Sequence, residues 1–392
     1  MLRPPTNHVF QHTPETLRAW CAQHAMPEFR ADQILEWVYK HGITNPTRMT
    51  NLAAADRRTL AAHMTFLSGE VHAHQVATDG TQKLLVEWAD GDPDPGSGLG
   101  WVEATAFEPA TRLAVLNNAP GSGGHADRQT ECVMIPSKDA EGDKAPSRRT
   151  ACISSQVGCP VGCKFCASGL GGLDANLSAG RIVEQAWRLG QLPGVGRITN
   201  IVFMGMGEPL SNFDAVSRAV RTLAADWGMG IGARRITIST VGLPKYIDRL
   251  ASELDIPVTL ALSLHAPTDE LRRQLIPWSE FTTIADLLGA CQRWFVKTGR
   301  EITLEYTLLR NVNDRPEHAQ QLASLARGMR ANVNLIRYNE VDATPFERPL
   351  AEDVLEFQRI LRARRVNAHI RASRGRDIAA ACGQLRHEGA AS

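Results

Sequence analysis

The sequence predicts an α/β protein: an open, partial TIM-like (β/α)6 barrel preceded by a small helical domain. Three observations predict it. After Cys152, apolar strand-like runs alternate with amphipathic helical runs six times, the pattern of a parallel sheet built from βα units. Residues 12 to about 66 instead carry apolar positions at helical spacing. Between the two, from Leu67, the spacing turns to short strands separated by a turn at Asp79-Gly80.

In chain order, PETLRAWCAQH and RADQILEWVYKHG are helical, with Ile34, Leu35 and Val38 on one stripe and Gly42 where a C-cap belongs. AAADRRTLAAHM adds a third helix, and Trp37 and Tyr39 are expected to pack in the core. GEVHAHQVA and KLLVEWADG form a strand pair. Residues 92 to 130 are rich in Gly and Pro and read as a surface insert. TECVMIP resumes a strand on which Glu131, Val133 and Ile135 share a face, so a carboxylate sits in an otherwise apolar row, and the plainest account of it is an edge-strand Glu facing water; residues 137–149 form a polar linker. Next comes a helix from Ser178 with Ile182, Ala186 and Leu189 on one side, then the strands ITNIVFMG, RITIST, PVTLALSLH, ITLEYTLL, NVNLIRY and NAHIRA, spaced by helices. The expected division is 1–66 helical accessory domain, 67–150 strand-rich linker region with its insert, 151–386 barrel with a C-terminal segment, and 387–392 tail.

Composition excludes several classes. The 43 basic and 42 acidic residues leave a net charge of +1, so a nucleic-acid site would have to come from local clustering. Eight cysteines in 392 residues, bunched in one stretch, point to metal chemistry in a reducing compartment and not to a secreted disulfide framework. MLRPPTNHVF has no apolar core of a signal peptide, and no run approaches the ~18 apolar residues of a membrane span. The expectation is a cytoplasmic protein without membrane contact.

The chemistry concentrates in CISSQVGCPVGCKFC, where Cys159, Cys163 and Cys166 are spaced C-x3-C-x2-C and Cys152 precedes them by seven positions. Two readings compete. A structural zinc site wants four ligands in two close pairs, but Cys291 and Cys382 stand far off and alone. Three thiolates on a [4Fe–4S] cube leave one iron open, as a catalytic centre does.

Other candidates fall at strand ends, where a barrel gathers its chemistry. Gly207 and Glu208 lie in GMGEP, where glycine lets backbone approach a ligand and Glu208 could pair with an ammonium group. Ser239, then Ser263, Leu264 and His265, then Asn339 end later strands. Singly these are more often caps than ligands, but one rim would bring them around one pocket. Cys382 follows a run of seven arginines from Arg359 through Arg376 with no acid before Asp377. Its last part, IRASRGR, suits phosphate contacts, and a thiol beside such charge becomes a reactive thiolate.

The C-x3-C-x2-C spacing resembles that of radical S-adenosylmethionine (SAM) enzymes. Together with MGMGEP, SLHAP, NVNLIRYN and RGRDIAAACGQL it resembles the RlmN/Cfr family of radical-SAM RNA methyltransferases, over residues 79–91 and 130–386 and more loosely in the N-terminal helices. The resemblance implies a radical-SAM barrel with one [4Fe–4S] cluster on Cys159, Cys163 and Cys166. It implies SAM contacts at Gly207, Glu208, Ser239, Ser263, Leu264, His265 and Asn339, and two SAM molecules consumed per turnover. Cys382 would accept a methyl group from the first, lose a hydrogen to the radical made from the second, and join the adenine carbon. Glu131 resembles the general base, and Cys152 would release the RNA by pairing with Cys382 as a disulfide.

The implied substrates are an adenine C2 in the peptidyl-transferase region of 23S rRNA and, in many members, the adenine beside the tRNA anticodon. An electron donor such as flavodoxin with its reductase, a monomeric enzyme and an RNA-binding role for the N-terminal helices are implied as well. The insert has no counterpart in the family pattern, nor has Cys132 beside Glu131. Two alternatives stand beside this reading: the adenine-C8 branch of the family, and a non-enzymatic RNA-binding protein stapled by zinc.

Overall fold

The architecture comes from a computed structural model that describes residues 2–89, 128–137 and 146–386. Most of the expected insert and polar linker, and the whole tail, lie outside the described residues.

Three helices come first, α1 (Pro14–Gln23), α2 (Arg30–Tyr39) and α3 (Ala54–His63). Thr13 caps α1 by accepting from the Thr16 amide, with Pro14 at the first helical position. Ile34, Leu35 and Val38 of α2 are buried as their spacing requires. Gly42 turns the chain just past α2 at φ +66°. Trp37 and Tyr39 are half-buried against the core, and the Trp37 indole donates to Asn51 Oδ1 at 2.6 Å.

The next strands are β1 (Gly69–Val76), β2 (Gln82–Trp88), β3 (Gln129–Pro136) and β4 (Arg149–Cys152), followed by the short pair β5 (Gln156–Gly158) and β6 (Leu173–Asn176). From there strands and helices alternate: α4 (Ala179–Gly190), β7 (Asn200–Phe203), α5 (Phe213–Ala224), β8 (Ile236–Thr240), α6 (Pro244–Glu253) and β9 (Thr259–Ser263). The series continues through α7 (Asp269–Leu275), α8 (Ile284–Thr298), β10 (Ile302–Leu308), α9 (Pro316–Ala326), β11 (Ala331–Arg337), α10 (Ala351–Ala363) and β12 (Ala368–Arg371).

The main sheet has ten strands in the order β1-β2-β3-β4-β7-β8-β9-β10-β11-β12. It is an open sheet, not a closed barrel: β1 and β12 are its two edges. From β4 to β12 every neighbouring pair is parallel, while β1, β2 and β3 extend the sheet antiparallel. One correction follows. β3 is no edge strand, because β2 and β4 flank it, and Glu131 is 7 % exposed instead of facing water.

Alternation along the strands separates core from lumen. On β8, Ile236 and Ile238 pack into the main core, while Thr237 and Ser239 face inward. The same core runs continuously into α1–α3, and the Trp187 indole of α4 donates to the Val38 carbonyl at 2.8 Å. Beneath this contact lies a buried charged knot. Glu184 accepts from the Ser68 and Gly69 amides at 2.9 and 3.2 Å, and meets Arg188 at 2.7 Å and His8 at 3.1 Å. Burial opposes its charge, but Arg188 and these donors hold its carboxyl down at about 2. No helix among the described residues is long and apolar enough to cross a membrane.

Candidate active site

Two loops leaving the strand ends are stitched together before any ligand is considered. Ile153 to Gln156, just past β4, lies against Gly205 to Glu208, just past β7. The Ser155 amide donates to Met206 O at 2.9 Å, the Met206 amide to Ser154 Oγ at 2.9 Å and the Glu208 amide to Gln156 Oε1 at 2.8 Å. Contact this close excludes side chains. Gly207 has φ +101°, and a Cβ there would stand 2.7 Å from Ser155 Oγ and Gln156 Cβ.

The cysteine loop is framed by the β5–β6 pair, with the Cys159 amide on Gly172 O at 2.8 Å. Cys159, Cys163 and Cys166 line one recess of about 860 Å³ together with Phe165, Glu208, Ser239, Ser263 and His265. Burial pushes the Cys159 thiol up to about 12, the Cys163 thiol well up and the Cys166 thiol up. Three thiols that resist ionisation in an apolar wall suit a ligand set that takes its protons off only when positive metal is bound. Among the described residues no three His, Cys, Asp or Glu side chains converge as ligands of a single ion. Three thiols spread along one wall fit a cube, in which each sulfur takes a different iron.

The expected ligand contacts divide. Gly207, Glu208, Ser239, Ser263 and His265 all line the first recess. Both Glu208 oxygens already accept backbone donors, Oε1 from Leu210 and Oε2 from Val241, each at 2.9 Å, so its carboxylate ties the loop after β7 to the loop after β8. Burial raises its pKa. Ser239 and Ser263 hydroxyls stand 3.2 Å apart. His265 adopts φ +58°, its Nδ1 accepts from the Thr307 amide at 3.0 Å, and its ring meets Phe165 edge-on at 5.0 Å. Burial, then Arg272, holds this imidazole neutral, down to about 3. Leu264 sends its side chain into the main core and offers only backbone. Asn339 lines a second recess instead, where its Nδ2 donates to the Cys382 carbonyl at 3.2 Å.

That second recess, about 1450 Å³, holds Cys152 and Cys382 together with Arg148, Arg235, Arg371 and Arg374. It runs down the lumen to Asn200 and Thr237 instead of staying at the strand ends. Met204, Ile336, Arg371 and Cys382 line both recesses and so form their junction. Cys152 and Cys382 are free thiols, and burial, then Cys382, pushes the Cys152 thiol up to about 12.

Glu131 lies in neither lining. Its Oε1 meets Lys83 Nζ at 2.6 Å and its Oε2 accepts from the Arg386 amide at 2.9 Å. Burial raises its pKa against the pull of Lys83.

Sequence reasoning passed over Arg272 and Lys83, and took Arg371 only as one of a run of arginines suited to phosphate. Arg272, buried at 1 % exposure, ties the β8 and β9 loops by donating to Val241 O at 2.6 Å and Leu264 O at 3.2 Å. Only the adjacency of SLHAP to DELRR marks it in sequence. Cys382 first, then Glu305 and Cys152, push the Arg371 pKa up against the opposing effect of burial.

Comparison with known proteins completes the picture. Residues 153–323 match the radical SAM superfamily model, and residues 8–66 match the ribosomal RNA large subunit methyltransferase N-terminal domain. The chain is 39 % identical over 384 residues to the "Probable dual-specificity RNA methyltransferase RlmN" of Rhodopirellula baltica, covering 98 % of this chain and 91 % of that protein. The protein so described in Thermosynechococcus vestitus is 40 % identical over 370 residues, covering 94 % and 95 %. Among solved structures, a radical SAM methyltransferase from Sphaerobacter thermophilus superposes with a TM-score of 0.83 at 39 % identity, covering 97 % of this chain and 99 % of that one.

An open parallel sheet carrying three cysteines on one loop at its strand ends defines a radical-SAM protein, a class that works with SAM and an iron–sulfur cluster. The chain belongs, more narrowly, to the RlmN family of radical-SAM RNA methyltransferases.

Proposed function

We propose that the enzyme methylates C2 of an adenine in the peptidyl-transferase region of 23S rRNA and C2 of the adenine beside the tRNA anticodon. One observation carries this reading: Cys382 stands on the wall shared by the cysteine-lined recess and the recess that holds Cys152. A single thiol can then meet a methyl donor on one side and an RNA base on the other. The dual-specificity description of the relatives favours two RNA substrates, and the C2 branch with them.

When bound, the cluster on Cys159, Cys163 and Cys166 and two SAM molecules per turnover supply a methyl group and a carbon-centred radical. The rest falls to this chain. Cys382 Sγ accepts the methyl group, and the carbon it carries bonds to the base after losing one hydrogen atom. Glu131 takes the proton from the adenine carbon, and the one electron left on the adduct would return to the cluster once that is bound. Cys152 Sγ, giving up its proton, then bonds to Cys382 Sγ. The sulfur–carbon bond breaks with its electron pair going to the carbon, which takes up a proton to become the methyl group. The methylated RNA leaves behind a disulfide for an external reductant to open. Gly207, Glu208, Ser239, Ser263, His265 and the Leu264 backbone shape the SAM side. Asn339 holds the Cys382 loop. The four arginines of the second recess suit RNA phosphates. We carry the helices of residues 1–66 as an accessory RNA-binding unit, the enzyme as a monomer, and a flavodoxin-type system as its electron donor.

The test is mass mapping of rRNA and tRNA from cells that lack their own enzyme and express this one. 2-Methyladenine is the expected product. 8-Methyladenine without 2-methyladenine would place the chain in the other branch.

A further inference from the structure

Lys83 and Glu131 form a buried ion pair, each side chain about 9 % exposed. They sit diagonally on β2 and β3, since Lys83 lies opposite Val133 and Glu131 is two residues before it. A buried pair repays its desolvation only when further hydrogen bonds satisfy both groups. Here both of those bonds go to one distant segment. Lys83 Nζ donates to the Ala379 carbonyl at 3.3 Å, and Glu131 Oε2 accepts from the Arg386 amide at 2.9 Å. Ala379 stands three residues before Cys382 and Arg386 four after it, so the pair grips the reactive loop at both ends.

The neighbouring β1–β2 turn adds straps to the same segment. Asp79 Oδ2 accepts from the Gly375 amide at 3.2 Å and meets Arg374 at 3.5 Å, while the Thr78 amide donates to Asp377 Oδ2 at 2.8 Å. The antiparallel extension, which contributes nothing to the cysteine-lined recess, thus finds a use. We propose that Lys83 is a positioning residue for methyl transfer: by holding the Glu131 carboxylate and the Ala379 carbonyl at once, it seats the Cys382 loop at the junction of the two recesses. The proposal rests on the reading of Cys382 as the methyl-accepting thiol.

The experiment compares wild type, Lys83→Met and Lys83→Arg as anaerobically reconstituted holoenzyme. Two readouts are taken by peptide mass analysis: alkylation of each cysteine by iodoacetamide, and S-methylation of Cys382 after incubation with SAM. In Lys83→Met, Cys382 alkylation rises at least about tenfold as the loop opens locally, Cys291 alkylation stays unchanged, and S-methylation falls. Lys83→Arg, which keeps the charge and the donors, restores most of both.

If Lys83→Met does not fold, the double variant Lys83→Met/Glu131→Leu removes both buried charges together, a change that buried pairs tolerate. It is judged on alkylation alone. Cys382 alkylation at the wild-type rate in whichever of these two variants folds overturns the proposal. A wild-type enzyme whose Cys382 never carries a methyl group overturns the thiol-relay reading instead, while the alkylation comparison still decides the role of Lys83.

Discussion

The side-chain amide of Asn339 donates to the carbonyl of Cys382 at 3.2 Å, while its Oδ1 accepts from Arg348 at 3.0 Å. The Ala167 amide, one residue past the last cysteine of the C-x3-C-x2-C loop, donates to the Gly383 carbonyl at 2.8 Å. The C-terminal loop that carries Cys382 is therefore held between the end of β11 and the cysteine loop. Asn339→Ala removes both bonds; Arg348 is half-buried and keeps its bond to the Tyr338 carbonyl at 2.6 Å, so the loss is about 1–2 kcal/mol. Turnover should fall several-fold, with the KM for SAM changed less than kcat. An unchanged kcat would show that the Cys382 loop does not need this anchor.

Each of Cys159→Ala, Cys163→Ala and Cys166→Ala should lose bound iron after anaerobic reconstitution, measured as iron and sulfide per chain. Cys291→Ala should not, because Cys291 packs on α8 in the main core. Full iron in any of the three variants would contradict the assigned ligand set.

Gly207→Ala tests the stitching of the two loops. The φ of +101° and the 2.7 Å approach of a Cβ to Ser155 and Gln156 leave no room for a methyl group, and strain of about 1–3 kcal/mol follows. The expected outcome is weaker SAM binding in equilibrium dialysis together with a lower Tm. Binding and Tm both at the wild-type level would mean that the loops part without cost.

Glu184 makes stability depend on acid. Its carboxyl stands at about 2 in the folded protein against an ordinary 4.5. A depressed pKa contributes stability that is complete above pH 4.5 and fades as the pH falls from 4.5 towards 2, worth about 3 kcal/mol when complete. Glu184→Gln should therefore lower Tm at pH 7, and the gap to wild type should shrink by pH 3. A gap independent of pH would exclude this ionisation as the cause.

The parallel half of the fold was legible because βα periodicity is local: Ile236 and Ile238 alternate with Thr237 and Ser239 within five residues. The gathering of Cys159, Cys163 and Cys166 in one recess was legible because all three lie on one short loop. Glu131 was misplaced as an edge residue because the groups that cover it, Lys83 on β2 and the Arg386 amide 255 positions away, come from other segments and leave no local trace. Lys83 escaped notice, and Arg371 was read only as a phosphate contact, for a related reason. A basic residue on a strand looks solvated in sequence, and only tertiary structure puts Lys83 against Glu131 and Arg371 between two thiols. The reading of Asn339 as a SAM contact missed its bond to Cys382, which is forty-three positions away in sequence.

The central claim is that Cys382 carries carbon to the base and Cys152 sets the product free. The most direct measurement is denaturing electrophoresis, with peptide mapping, of Cys152→Ala after anaerobic reaction with SAM, reductant and RNA. The account predicts RNA covalently attached through a one-carbon bridge to Cys382, and none in Cys382→Ala. Free methylated RNA released by Cys152→Ala at the wild-type rate, with no adduct, would contradict it.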